Sequence, residues 1–201
     1  MKLYHSTASP YVRKVLMTAW ECGLASRIEL LPASGTPAAP NRDMAARNPL
    51  MKIPTLIRDD GSELYDSIVI CEYFDSLAGG TLFPPAGEAR WQVLRRHALV
   101  DGLLDSALAV RYETVARPEP LRWQEWIDGH SAKIDNALDA LEREVDALPA
   151  AFQIDQIALV AALGYLDFRF ASRPWRPGRP KLERWFARLS ERESAKRTVP
   201  T

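Results

Sequence analysis

Residues 48–56 read Asn48-Pro49-Leu50-Met51-Lys52-Ile53-Pro54-Thr55-Leu56. The run closes a loose, Pro- and Ala-rich stretch that starts near Ala33 and has room for a short helix. It opens into residues of strand character. Thr55 to Arg58 predict a strand, Asp60-Gly61 a tight turn, and Glu63 to Tyr65 the returning strand of a hairpin. Asp66-Ser67 then supply capping side chains, and Ile70, Cys71, Phe74 and Leu77 recur at helical spacing.

Toward the N-terminus, residues 2–5 and 28–32 read as short strands. Between them, Ser9 is a favoured N-cap and Pro10 a favoured first helical residue. Val12, Val15, Leu16 and Ala19 follow at helical spacing, and Gly23 stops the helix. The order is therefore β-α-β-α-β-β-α. Toward the C-terminus, Ala78-Gly79-Gly80 ends the last of these helices, and Pro84-Pro85-Ala86-Gly87 marks a linker. Strand signals then vanish. One long helix starts around Trp91, Leu94 and Ala98. A second carries the stripe Ile127, Ile134, Leu138, Leu141, Val145 and Leu148. The run from Ile157 is apolar nearly all round and predicts a central buried helix. Leu182, Trp185, Phe186 and Leu189 form a last stripe. Two domains follow: α/β over residues 1–78, a linker over 79–87, and all-α over 88–201.

The totals are those of an ordinary globular chain: 201 residues, 47% hydrophobic, 26% charged. Lysine plus arginine equals aspartate plus glutamate, 26 each, so the formal net charge is zero. Nothing in that balance points to nucleic acid or an anionic membrane as partner. The longest apolar run, Ile157 to Leu166, is far too short to span a bilayer. The first residues lack the apolar stretch of a signal peptide, so a cytoplasmic location is expected. Cys22 and Cys71 sit in apolar helical patterns and are expected as buried, reduced thiols, although sequence leaves a bridge open. His5, His97 and His130 are scattered. No metal-ligand spacing is present, and no metal is expected.

Four stretches together resemble the glutathione S-transferase family. They are Ser9-Pro10-Tyr11-Val12-Arg13-Lys14-Val15, the Asn48–Leu56 run, Tyr65-Asp66-Ser67, and Leu163-Gly164-Tyr165-Leu166-Asp167-Phe168-Arg169. The resemblance spans nearly the whole chain. It implies a thioredoxin-like N-terminal domain followed by a helical domain. It also implies glutathione as co-substrate, a homodimer, a small electrophile, and a role in detoxification.

The chemistry demands a thiolate. The glutathione thiol titrates near about 8.5, so only a few per cent is ionised at pH 7, and the nucleophile is the thiolate. A hydroxyl at a helix N-terminus can stabilise it by donating to sulfur where the helix dipole favours negative charge. On local sequence alone, Ser9 reads as a plain cap. The resemblance assigns it the thiolate role, with Ser6 and Thr7 as competing hydroxyls and Tyr4 as packing. Ser9-Pro10-Tyr11-Val12 is similar to the glutaredoxin Cys-Pro-Tyr-Cys with both sulfurs absent, which argues against dithiol exchange. The resemblance further implies a cis Ile53–Pro54 bond presenting the Ile53 backbone to the cysteinyl unit. It places Asp66 and Ser67 at the γ-glutamyl head. Lys52 is either near the glycyl carboxylate or simply solvated. Position 51 is often Gly in the family; here it is Met51.

Arg111 and Tyr112 are candidates for the second-substrate site, and equally for surface and packing roles. Asp101 and Asp105 are either solvated or reach a partner subunit. Before the buried helix, Gln153 stands where the family often has a capping Ser or Thr, and Asp155 is the substitute. Two alternatives stand beside the transferase reading: a glutathione-dependent disulfide reductase or peroxidase working through the bound thiol, and a non-catalytic interaction protein keeping only the fold.

Overall fold

The computed structural model describes all residues, Met1–Thr201. Four strands, β1 (Lys2–His5), β2 (Glu29–Pro32), β3 (Thr55–Ile57) and β4 (Glu63–Leu64), form one sheet in the order β2-β1-β3-β4. β1 pairs parallel with β2 and antiparallel with β3, and β3 pairs antiparallel with β4. Helices α1 (Pro10–Glu21) and α2 (Ser67–Leu77) cover it. The predicted short helix between β2 and β3 is a single 3-10 turn, Arg42–Met44.

Sequence signals set the ends of α1. Ser9 caps its start, with Pro10 in the first turn. At its far end Gly23 takes φ +68° and Leu24 N–H reaches back to Ala19 O, a Schellman-type stop.

A buried Asp75 ties the linker down. Its carboxylate accepts from Thr81, Leu82 and Phe83 N–H at 2.8, 2.8 and 3.0 Å. The helices that follow are α3 (Glu88–Val115), α4 (Gln124–Glu144), α5 (Ile154–Arg169), α6 (Pro180–Ser190) and α7 (Glu193–Lys196). The stripe predicted to run to Leu148 leaves the α-helix at Glu144 and ends in a 3-10 turn, Val145–Ala147. α7 has too few residues to show a periodic pattern.

Every residue of α5 from Ile154 to Leu166 is buried, as its all-round apolar run requires. Gln153 makes no side-chain cap bond. Asp155 does not cap in its place. It takes the Gln156 N–H at 2.9 Å and the Arg96 Nε at 2.6 Å, joining α5 to α3. Burial pushes the Asp155 carboxyl upward, against the pull of Arg96. α1 also packs on α5. The buried Arg13 donates to Val160 O (3.4 Å) and Ala195 O (3.3 Å), bonding the sheet-bearing half to both α5 and α7. No helix is long and apolar enough to cross a membrane.

Candidate functional site

The strand register gathers three loops at one end of the sheet. Tyr4 of β1 faces Thr55 of β3, so the segment leaving β1 toward Ser9 runs beside Ile53 and Pro54. Leu56 of β3 faces Leu64 of β4, so Tyr65 and Asp66 leave β4 on the side where Pro54 enters β3. Two helices begin at this edge, α1 capped by Ser9 and α2 capped by Asp66. The edge therefore carries two sets of uncommitted helix N–H groups, which favour negative charge.

Ser9 Oγ accepts the Val12 N–H at 3.3 Å and donates to no acceptor in the chain. The competing hydroxyls are differently engaged. Thr7 Oγ1 donates to the C-terminal Thr201 O at 3.0 Å, and Ser6 Oγ accepts the Ala8 N–H at 3.4 Å. The Ile53–Pro54 bond is cis, and so is Tyr65–Asp66. The Ile53 N–H and C=O find no partner in the chain. Lys52 is exposed and unpaired. Asp66 caps α2 by accepting the Ile68 N–H at 3.2 Å. Ser67, the first helical residue, is 3% exposed, and its hydroxyl makes no hydrogen bond to the chain.

The loop before Pro54 is held by two residues whose importance no pattern announced. Asn48, 1% exposed, donates to Lys52 O (3.1 Å) and Thr55 Oγ1 (2.9 Å) and accepts the Leu50 N–H (2.9 Å). Thr55 Oγ1 in turn donates to Lys52 O at 2.8 Å. In sequence, Asn48 before Pro49 signals only a turn. Met51, between them, sits at φ +52°, the left-handed region that explains the glycine of related sequences.

Behind this edge lies a polar cluster that sequence did not foresee. Lys14 is fully buried. Its Nζ meets His97 Nε2 at 2.9 Å and both Asp101 oxygens at 2.9 and 3.0 Å. Burial and the Lys14 charge hold His97 down at about 3. His97 is therefore neutral, and its Nε2 accepts from the ammonium. Tyr11 donates its hydroxyl to Asp105. The two aspartates thus bind α3 to α1 within the chain, Asp101 half-buried and Asp105 still exposed. They hold in place the helix that Ser9 caps.

Arg111 and Tyr112 lie on α3, both half-buried. Tyr112 follows Asp105 by seven residues, which keeps it on the same helix face. Tyr165 of α5 is 5% exposed, and burial pushes its hydroxyl up. Cys22 and Cys71 are free, and burial pushes their thiols up to about 11 and about 12. No group of three or more His, Cys, Asp or Glu is placed to hold a metal ion.

Known proteins share this fold. The family model described as glutathione S-transferase, N-terminal domain, matches residues 8–77, and the corresponding C-terminal domain model matches 124–188. The GST-like protein YibF of Escherichia coli (strain K12) is 32% identical over 205 residues, covering 100% of this chain and 98% of the relative. The chain belongs to the glutathione S-transferase family. Among solved structures, a glutathione transferase family member from Pseudomonas fluorescens Pf-5 with bound glutathione is 42% identical. It has a TM-score of 0.97 and covers 100% of this chain and 98% of that one. The same family member with bound S-(propanoic acid)-glutathione superposes with a TM-score of 0.92, covering 100% and 99%. The glutathione S-transferase fold, a small mixed sheet with its helices followed by a helical half, is thus the fold of this chain.

Proposed function

We propose that the chain is a glutathione transferase of the serine type, with Ser9 stabilising the thiolate that attacks a small, partly apolar electrophile. The observation that carries this reading is the register-enforced meeting of two capped helix N-termini with the free Ile53 backbone. Glutathione offers a group for each part. Its thiol lies at Ser9, whose oxygen is occupied by Val12 N–H and whose proton is left to donate to sulfur. Bringing a thiol from about 8.5 to about 6.5 needs about 2.7 kcal/mol of preference for the charged form. A charge-assisted hydrogen bond together with a helix N-terminus is of that order. The Ile53 N–H and C=O pair with the cysteinyl unit as an added strand. The γ-glutamyl carboxylate meets Ser67 and the first turn of α2, its ammonium meets Asp66, and the glycyl carboxylate lies toward Lys52.

The relative with bound glutathione supports this assignment. The relative with bound S-(propanoic acid)-glutathione supports a site with room beyond the sulfur. We place the second-substrate site at Arg111 and Tyr112, and the domain division at residues 1–78 and 88–201. A homodimer suits the exposed Val69 and Leu77 of α2 and Trp91 of α3. Light scattering on the purified chain should give twice its 22.6 kDa mass. A reductase working through its own cysteines is disfavoured, because neither thiol lies in the first turn of α1 and burial opposes ionisation of both.

The deciding experiment is ultraviolet difference absorbance on titration with glutathione, for the native chain and for Ser9→Ala. A thiolate band that Ser9→Ala removes is expected. A band that survives would transfer the role to Ser6, and no band in either protein would end the transferase reading.

A further inference from the structure

Residues 192–201 run along α1 and bond to it at both ends and in the middle. At the far end of α1, Glu21 takes the Arg192 guanidinium on both oxygens, at 3.0 and 2.5 Å, and accepts the Ser194 hydroxyl. Midway, Arg13 donates to Ala195 O at 3.3 Å. Before the helix starts, Thr7 Oγ1 donates to Thr201 O at 3.0 Å, across 194 positions. Ser194, Ala195 and Thr198 are buried, so the segment is packed in place. Thr198 Oγ1 donates to Ser194 O at 2.7 Å, which fixes the point where the chain leaves α7. From there Pro200, with φ locked and no N–H to satisfy, stiffens the short crossing to Thr201.

This crossing lands on the turn that delivers Ser9. Ser9 N–H donates to Ser6 O at 3.1 Å, closing a β-turn with Thr7 and Ala8 at its corners. Ala8 N–H donates to Ser6 Oγ at 3.4 Å. Ser9 then caps α1. The Thr7–Thr201 bond is the one hydrogen bond that ties residues 6–9 to the helical half of the chain. Both residues are exposed, so water can replace either group and the bond adds little to global stability. Position is a different matter. A hydrogen bond weakens steeply with distance and angle, and a displacement of about 1 Å can cost about a hundredfold in a catalytic step. A turn corner pinned from outside therefore bears on where the Ser9 hydroxyl sits far more than on the fold.

We propose that Thr7 is a positioning residue for the thiolate site, and that residues 199–201 act through it as a strap that holds the Ser9 hydroxyl against the sulfur. This rests on the glutathione transferase reading above and adds a residue to that site. In this role Thr7 acts through the turn and not on the sulfur itself. It keeps Ser9 where its proton can be donated to the thiolate once the thiol proton has left for solvent.

The test is the pH dependence of the thiolate absorbance of bound glutathione. It is read for the native chain, Thr7→Val, Thr7→Ser, a chain lacking residues 199–201, and Thr7→Val combined with that deletion. Val keeps the branched shape of Thr and removes the donor; Ser keeps the donor; the deletion keeps Thr198 and α7. Thr7→Val should raise the pKa of the bound thiol by about half to one unit, leaving about three- to tenfold less thiolate below it. The deletion should match that shift, and the combination should add nothing, as expected of two changes that break one bond. Thr7→Ser should keep the native value. Glutathione affinity at about pH 5, where the thiol is protonated, and the thermal unfolding midpoint should be the same throughout, which separates positioning from loss of fold. An unmoved pKa in Thr7→Val would overturn the strap. So would a shift in Thr7→Val with none in the deletion, which would make Thr7 a direct donor to sulfur. Absence of a thiolate band in the native chain would instead bring down the transferase reading beneath it.

Discussion

Gly164 of α5 leaves the space that the Arg13 guanidinium of α1 occupies: a Cβ built at Gly164 would lie 1.9 Å from Arg13 Nη1. Arg13 cannot retreat cheaply. It is 5% exposed, its Nε has no partner, and its Nη groups hold the carbonyls of Val160 and Ala195. Burial brings it down to about 10, against the pull of Asp167. Gly164→Ala should therefore destabilise the chain by about 2–4 kcal/mol, by pushing a buried charge off its acceptors. In an Arg13→Ala background the same change should become stabilising by about 1 kcal/mol, the ordinary helix preference of Ala over Gly. Denaturant unfolding of the four proteins checks this; an unchanged sign would mean that Gly164 is not there to make room for Arg13.

Met51 occupies a left-handed conformation at φ +52° in the loop that leads to Pro54. An L-residue there costs about 1–2 kcal/mol relative to glycine. Met51→Gly should raise the unfolding free energy by about 1 kcal/mol with an unchanged denaturant slope. Met51→Val, with branching at Cβ, should lower it. A ranking with Val above Gly would be incompatible with the strained backbone.

His97 makes stability depend on pH in a definite direction. Its folded value of about 3 lies below the unfolded value near 6.5, so the unfolded chain binds the extra proton. The contribution is complete above about pH 6.5 and is lost as pH falls toward 3, with a slope approaching about 1.4 kcal/mol per unit. Asp101, which burial pushes up, titrates in the opposite sense. His97→Gln retains an acceptor for Lys14 but does not titrate. Unfolding free energies measured from pH 7 to pH 4 should fall more steeply for the native chain than for His97→Gln. Parallel curves would show that His97 is not held neutral by its surroundings.

Neither native thiol should react readily. With Cys22 at about 11 and Cys71 at about 12, less than about one molecule in a hundred carries a thiolate at pH 8. A colorimetric thiol reagent should label the folded chain at least about a hundredfold more slowly than the chain in guanidinium, where both cysteines react. Rapid labelling of the folded protein would reopen chemistry through its own sulfur.

Much of the site's framework was legible because it is local. Ser9-Pro10, Gly23 and Asp66-Ser67 act on the backbone within a turn of themselves, and each does so where its residue type leads one to expect. The predicted hairpin after Pro54 likewise needs only neighbouring residues. What escaped were contacts across many residues. Asn48 is a buried strut across the loop before Pro54. Lys14 is fully buried against Asp101, 87 positions away. Asp155 looked like a replacement cap and is the partner of Arg96.

Sequence by itself determined the order of strands and helices, the two capped helix starts, and the residue types a thiol-binding edge would need. These follow from caps, breakers and periodicity, whose energies act over three or four residues. Only the tertiary structure decided which charges are paired. It joined Lys14 to Asp101, seated Arg13 over Gly164, and joined Asp155 to Arg96. Partner choice across a hundred residues is set by how helices pack against one another, and no short-range pattern in the chain encodes that geometry.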